Sequence, residues 1–122
     1  MRPMHMRFVA AVLVCSAFLA APSAFAHARP RVMVPAADST GPAPSSITVT
    51  FSEPVEPKFS SIALLTEEGK PINTAPSAAS PNDSKTLSLA VPALQAGGYL
   101  VHWVSVAPDG HRMEGEYKFT VK

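Results

Sequence analysis

Two imidazoles far apart in the chain, His27 and His111, and a carboxylate beside the second, Asp109, are the side chains best suited to hold a metal. His27 directly follows Ala24-Phe25-Ala26, a small-x-small pattern of the kind cut by signal peptidase. Cleavage there gives His27 a free α-amine beside its imidazole, two nitrogen donors on one residue. Asp109 and His111 flank a glycine in Val106-Ala107-Pro108-Asp109-Gly110-His111. Side-chain alternation, with Gly110 relaxing the backbone, lets both approach one point. Nitrogen-rich sites with one carboxylate suit copper(II) in tetragonal geometry. Spacing alone leaves plainer readings open: Asp-Gly is an ordinary turn dipeptide, and chain termini commonly fray.

These donors matter only if a mature fold presents them, so the leader has to be set aside first. Arg2 and Arg7 form a basic start, residues 8–21 are apolar apart from Ser16, and residues 22–26 close a secretory signal peptide spanning 1–26. The apolar run is shorter than the roughly 20 residues a membrane span needs. Cys15 follows Val14, where a lipoprotein site wants a small residue, and falls within the discarded leader.

Removing 26 residues from 122 leaves one domain, 27–122, near the lower end of size for a self-sufficient core. Export implies an oxidising compartment, yet the mature part holds no cysteine and so no disulfide. Without the two leader arginines, eight basic residues face nine acidic ones, a net charge of about −1. No basic patch suggests nucleic acid or an anionic membrane surface. Nothing in the mature part is long and apolar enough to insert in a membrane.

Residues 27–122 read as short strands separated by proline, glycine, serine and aspartate. Ile47-Thr48-Val49-Thr50-Phe51 alternates, placing Ile47, Val49 and Phe51 on one face, and Leu87-Ser88-Leu89-Ala90-Val91 repeats the pattern. Further strands are expected at 31–34, 61–65, 99–106 and 116–121, with a corner at 55–59. The segments 35–42 and 74–84 read as plain turns and 67–70 as a hairpin tip. The expected class is all-β: a small Greek-key sandwich or barrel, cupredoxin-like or immunoglobulin-like.

The ordered set His27-Ala28-Arg29-Pro30, Pro35-Ala36-Ala37-Asp38-Ser39, Phe51-Ser52-Glu53, Pro57-Lys58-Phe59-Ser60, Gly98-Tyr99-Leu100-Val101-His102-Trp103 and Asp109-Gly110-His111, followed by Gly115 and Phe119-Thr120-Val121, resembles the CopC family of periplasmic copper-binding proteins. The similarity covers essentially the whole mature chain. It implies a cupredoxin-like Greek-key fold, a periplasmic location and copper binding linked to resistance or uptake. It also places the family's copper(II) ligands on His27, Asp109 and His111. His27 then binds through amine and ring, His111 adds a third nitrogen in a histidine brace, and Asp109 supplies charge-compensating oxygen. A CopD-like inner-membrane protein is the partner the family implies.

Other residues carry lesser expectations. Alternation sets Tyr99, Val101 and Trp103 on one face and His102 on the other, where it reads as a surface histidine or an accessory ligand. Glu53 is either an acceptor behind His27 or a strand-end carboxylate. Trp103 and Phe119 read as core, and Met113, two residues beyond His111, reads as a strand core residue or as one leaning toward the metal. Some family members carry a methionine-rich loop for copper(I). Here residues 64–73 contain no methionine, and the mature part has only Met33 and Met113, so a single copper(II) site is expected. A ligating imidazole must be neutral and an amine deprotonated, so acid releases such a metal. The expected role is a copper carrier or buffer, not an enzyme. The alternatives are a copper oxidase or monooxygenase using the same brace, and a metal-free immunoglobulin-like module.

Overall fold

The computed structural model describes residues 27–122; the segment 1–26 expected to be a leader, with its expected cleavage site and Cys15, lies outside the described residues. Among the described residues, eight strands form two four-stranded sheets. One has the order β1 (Pro30–Val34), β3 (Ser46–Phe51), β6 (Asp83–Ala90), β5 (Ala78–Ser80). The other has the order β2 (Thr40–Gly41), β8 (Arg112–Val121), β7 (Gly97–Val106), β4 (Ser61–Thr66). The all-β sandwich expected from the sequence is therefore the fold. Among the described residues no helix is long and apolar enough to cross a membrane.

The core follows from the period of two. Ile47, Val49 and Phe51 of β3 are at most 1% exposed, and Leu87 and Leu89 of β6 face the same interior. From the opposite sheet come Ile62, Leu64, Tyr99, Val101, Phe119 and Val121, all buried. Tyr99 stacks on Phe119 at 5.6 Å between ring centres. Trp103 is half-buried, packs against this core and meets Phe51 edge-on. Met113 departs from its core reading: it is half-buried at the outer end of β8 and is not among the side chains packed on the core.

Several element boundaries also differ from expectation, β6 among them, which begins at Asp83 rather than Leu87. Thr40–Gly41, inside the expected turn 35–42, pairs parallel with Thr120 and Val121. Ala78–Ser80, inside the expected turn 74–84, pairs with the start of β6. Both strands are too short to show an alternating pattern and are made of small or polar residues. β8 begins at Arg112 rather than 116, because Arg112, Glu114 and Glu116 are exposed while Met113 and Gly115 give no strong apolar signal. The tip at 67–70 is a turn as read, closed by Gly69 in the left-handed region and by the Thr66 amide donating to the Lys70 carbonyl.

The long β7–β8 ladder runs from Gly97 opposite Val121 to Val106 opposite Arg112. It thus carries the turn 107–111 out at one end of the sandwich. β3 ends at Phe51, and the next residue, Ser52, bonds the chain at residues 27 and 29. The two segments bearing the sequence-predicted donors therefore reach the same end of the fold.

Candidate metal centre

Turn 107–111 is closed by two backbone bonds, from the Gly110 amide to the Ala107 carbonyl at 2.8 Å and from the Ala107 amide to the His111 carbonyl at 2.9 Å. Gly110 has φ +89°, a conformation that a Cβ makes costly. Asp109 does more than fill the turn. Its Oδ1 accepts from the His111 amide at 3.0 Å, and its Oδ2 lies 2.8 Å from His111 Nδ1. The pair thus meets through an aspartate-type turn, not through strand alternation, since 107–111 has left the strands. The His111 amide first and its ring second hold the Asp109 carboxyl below its ordinary value of 3.8, so it stays ionised at any neutral pH.

His27 is held just as locally, from behind. The Ser52 amide donates to the Arg29 carbonyl at 2.7 Å. The Ser52 hydroxyl accepts from the Arg29 amide and donates to the His27 carbonyl, each at 3.1 Å. The Ser105 hydroxyl, buried inside β7, donates to the Ala28 carbonyl at 2.6 Å. Ala28 itself is 1% exposed. Residues 27–29 are consequently part of the folded sandwich.

These two anchorages bring the rings of His27 and His111 to 5.6 Å between centres, at 69° to one another. A metal–imidazole bond of about 2.0–2.1 Å puts the metal roughly 3.2 Å from a ring centre, so two rings sharing one ion lie at most about 6.4 Å apart. The observed separation fits within that limit. The donor types, two imidazoles with an adjoining carboxylate, also fit a divalent, borderline ion such as copper(II). Among the described residues no group of three or more histidine, cysteine, aspartate or glutamate side chains forms a ready-made cage.

The remaining candidates stand elsewhere. His102 lies on the outer face of β7, with Nε2 3.5 Å from Glu114 and Nδ1 3.6 Å from Glu116. It stands on the face opposite Tyr99, Val101 and Trp103, as its alternation predicted, and its neighbours there are surface carboxylates. Glu53 is half-buried directly after Ser52. Sequence reasoning missed Ser52 and Ser105 as supports of His27. Ser105 had a readable signal, a hydroxyl at the inward position that continues Tyr99, Val101 and Trp103.

Residues 31–122 match the family described as the CopC domain. Protein YobA of Escherichia coli K12 is 37% identical over 119 residues, covering 96% of this chain and 94% of that protein. Copper resistance protein C of Escherichia coli is 39% identical over 109 residues, covering 82% and 85%. Among solved structures, CopC from Methylosinus trichosporium OB3b superposes with a TM-score of 0.73 at 31% identity, covering 79% of this chain and 94% of that one. PcoC, a methionine-rich copper resistance protein from Escherichia coli, gives 0.67 at 36% identity, covering 80% and 100%. The sandwich is thus of the cupredoxin-like kind that these proteins share.

Proposed function

The chain belongs to the CopC family, and from that premise we propose that it is a periplasmic carrier or buffer that binds one copper(II) ion through His27, Asp109 and His111. The observation that carries this reading is the 5.6 Å approach of two imidazoles from opposite ends of the mature sequence. Relatives named for copper resistance supply the cargo.

In this reading cleavage after Ala26 exposes the His27 amine, which joins the His27 ring and His111 in a three-nitrogen brace. Asp109 keeps the His111 ring oriented: with the Nδ1 proton donated to the carboxylate, Nε2 carries the lone pair that ligates. The same carboxylate, ionised throughout the neutral range, compensates the charge of copper(II) and has lone pairs left for an oxygen contact. A fixed anionic site favours the divalent ion over redox cycling, which suits a carrier better than a catalyst. Soft thioether ligands are scarce: Met33 packs on the core, Met113 is a single half-buried thioether at the start of β8, and residues 64–73 lack methionine. One copper(II) site and no dedicated copper(I) site follow. Delivery to a CopD-like inner-membrane protein completes the proposed role.

The test is copper(II) titration of the chain beginning at His27 against His27→Ala and His111→Ala. One tight equivalent in the parent, lost in both variants, supports the reading. Tight binding that survives both substitutions contradicts it. Peroxide formation with a reductant present would instead identify a copper oxidase.

A further inference from the structure

We propose that Ser105, assisted by Ser52, is a positioning residue for copper: the two hydroxyls fix the backbone behind His27 and so set how tightly the ion is held. This inference rests on the copper reading of His27 and His111 and deepens it.

Ser105 is out of place by composition. It occupies an inward position of β7, 1% exposed, in a series otherwise made of Tyr99, Val101 and Trp103. A hydroxyl buried there is unfavourable unless it is bonded, and its partner is the carbonyl of Ala28, 77 residues away in sequence. Ser52 works from the other sheet and engages the His27 carbonyl and both backbone groups of Arg29. The two peptide groups that follow His27 are therefore tied down, the first by Ser52 at the His27 carbonyl and the second by Ser105 at the Ala28 carbonyl and Ser52 at the Arg29 amide.

The consequence for binding is one of timing. A terminal residue left loose has to be ordered when the metal binds, and that entropy is subtracted from the affinity. Here the ordering is already done when the protein folds. Ser105 also lies two residues before turn 107–111 on the same chain segment, so one side chain fastens the His27 segment to the strand that leads into the turn bearing Asp109 and His111. The separation of the two rings is set through that bond.

The experiment uses the chain beginning at His27 and measures its copper(II) dissociation constant by chelator competition, and its copper release rate, well below the melting temperature. Ser105→Ala is expected to weaken binding by about 10–100-fold, the range typical for groups that orient a ligand, mainly through faster release. Ser105→Thr, which keeps the hydroxyl, restores most of the loss. Ile47→Val, a core change remote in kind, lowers the melting temperature and leaves the dissociation constant alone. If Ser105→Ala does not fold, Ser52→Ala at its half-buried position reads the same clamp with a smaller shift in the same direction. Parental affinity in both serine variants overturns the clamp while leaving the copper site standing. No copper binding by the parent chain overturns the copper reading and the clamp together.

Discussion

Gly115→Ala tests the packing beneath the site, and its sign is decided by numbers in the structure. Gly115 stands directly opposite Trp103 in the β7–β8 ladder. A Cβ placed on it meets the indole at 2.7 Å from Cζ2, 2.9 Å from Cε2 and 3.0 Å from Nε1. Comfortable carbon contacts lie at about 3.5–4.0 Å, so the ring has to retreat by roughly 1 Å. Behind it stands Phe51, 1% exposed and edge-on with ring centres 5.9 Å apart, which leaves the indole little room to yield. Intrinsic propensity alone argues the other way, since replacing a strand glycine by alanine gains about 0.5–1 kcal/mol. Overpacking costs about 1–3 kcal/mol and wins. The net loss is about 1 kcal/mol, and at about 4–8 °C per kcal/mol for a domain of this size the expected fall in melting temperature is about 4–8 °C. Thermal unfolding followed by circular dichroism measures it, and the emission of Trp103, the only tryptophan, is expected to shift to the red. An unchanged or raised melting temperature with unshifted emission would refute the reasoning.

Asp109→Ala removes both contacts to His111 and is expected to weaken copper(II) binding by about 10–100-fold with little change in melting temperature; chelator competition checks this, and parental affinity contradicts it. His102→Gln is expected to leave copper affinity and the electron paramagnetic resonance spectrum unchanged, because its neighbours are Glu114 and Glu116; a weakened site would bring His102 into the coordination. Asp83 gives a pH signature. The Thr86 hydroxyl first, then the Lys85 amide, hold its carboxyl below the ordinary 3.8, so its contribution is present above the unfolded value and lost as the pH falls through the folded one. The gap in melting temperature between the parent and Asp83→Asn should be open above about pH 5 and close in acid; melting curves from neutral pH downwards report it, and a gap that widens in acid would count against the assignment.

Where a strand buries one face, alternation was enough to read it. Ile47, Val49, Phe51, Leu87 and Leu89 declared their inward faces in the sequence and hold them in the sandwich. Alternation also separated Trp103 from His102 correctly. It was silent for Thr40–Gly41 and Ala78–Ser80, which are strands only because β8 and β6 offer them backbone partners. Apolar character misled at Met113, which lies at the end of a strand, beyond the packed core. At the site, the donor types were legible, but the reason they meet was not. Asp109 reaches His111 through a local turn bond, and His27 is placed by two serines whose partners are 25 and 77 residues distant. No local pattern encodes contacts at such separations.

The central claim is that the first mature residue supplies two of the nitrogens that hold copper(II). The most direct measurement is copper(II) titration followed by electron paramagnetic resonance on two purified forms, one beginning at His27 and one with a methionine added before it. The account predicts tight, nitrogen-rich tetragonal binding by the first form and markedly weaker binding by the second, whose terminal amine has been moved one residue away. Equal binding and identical spectra for both forms would remove the His27 amine from the site and contradict the brace.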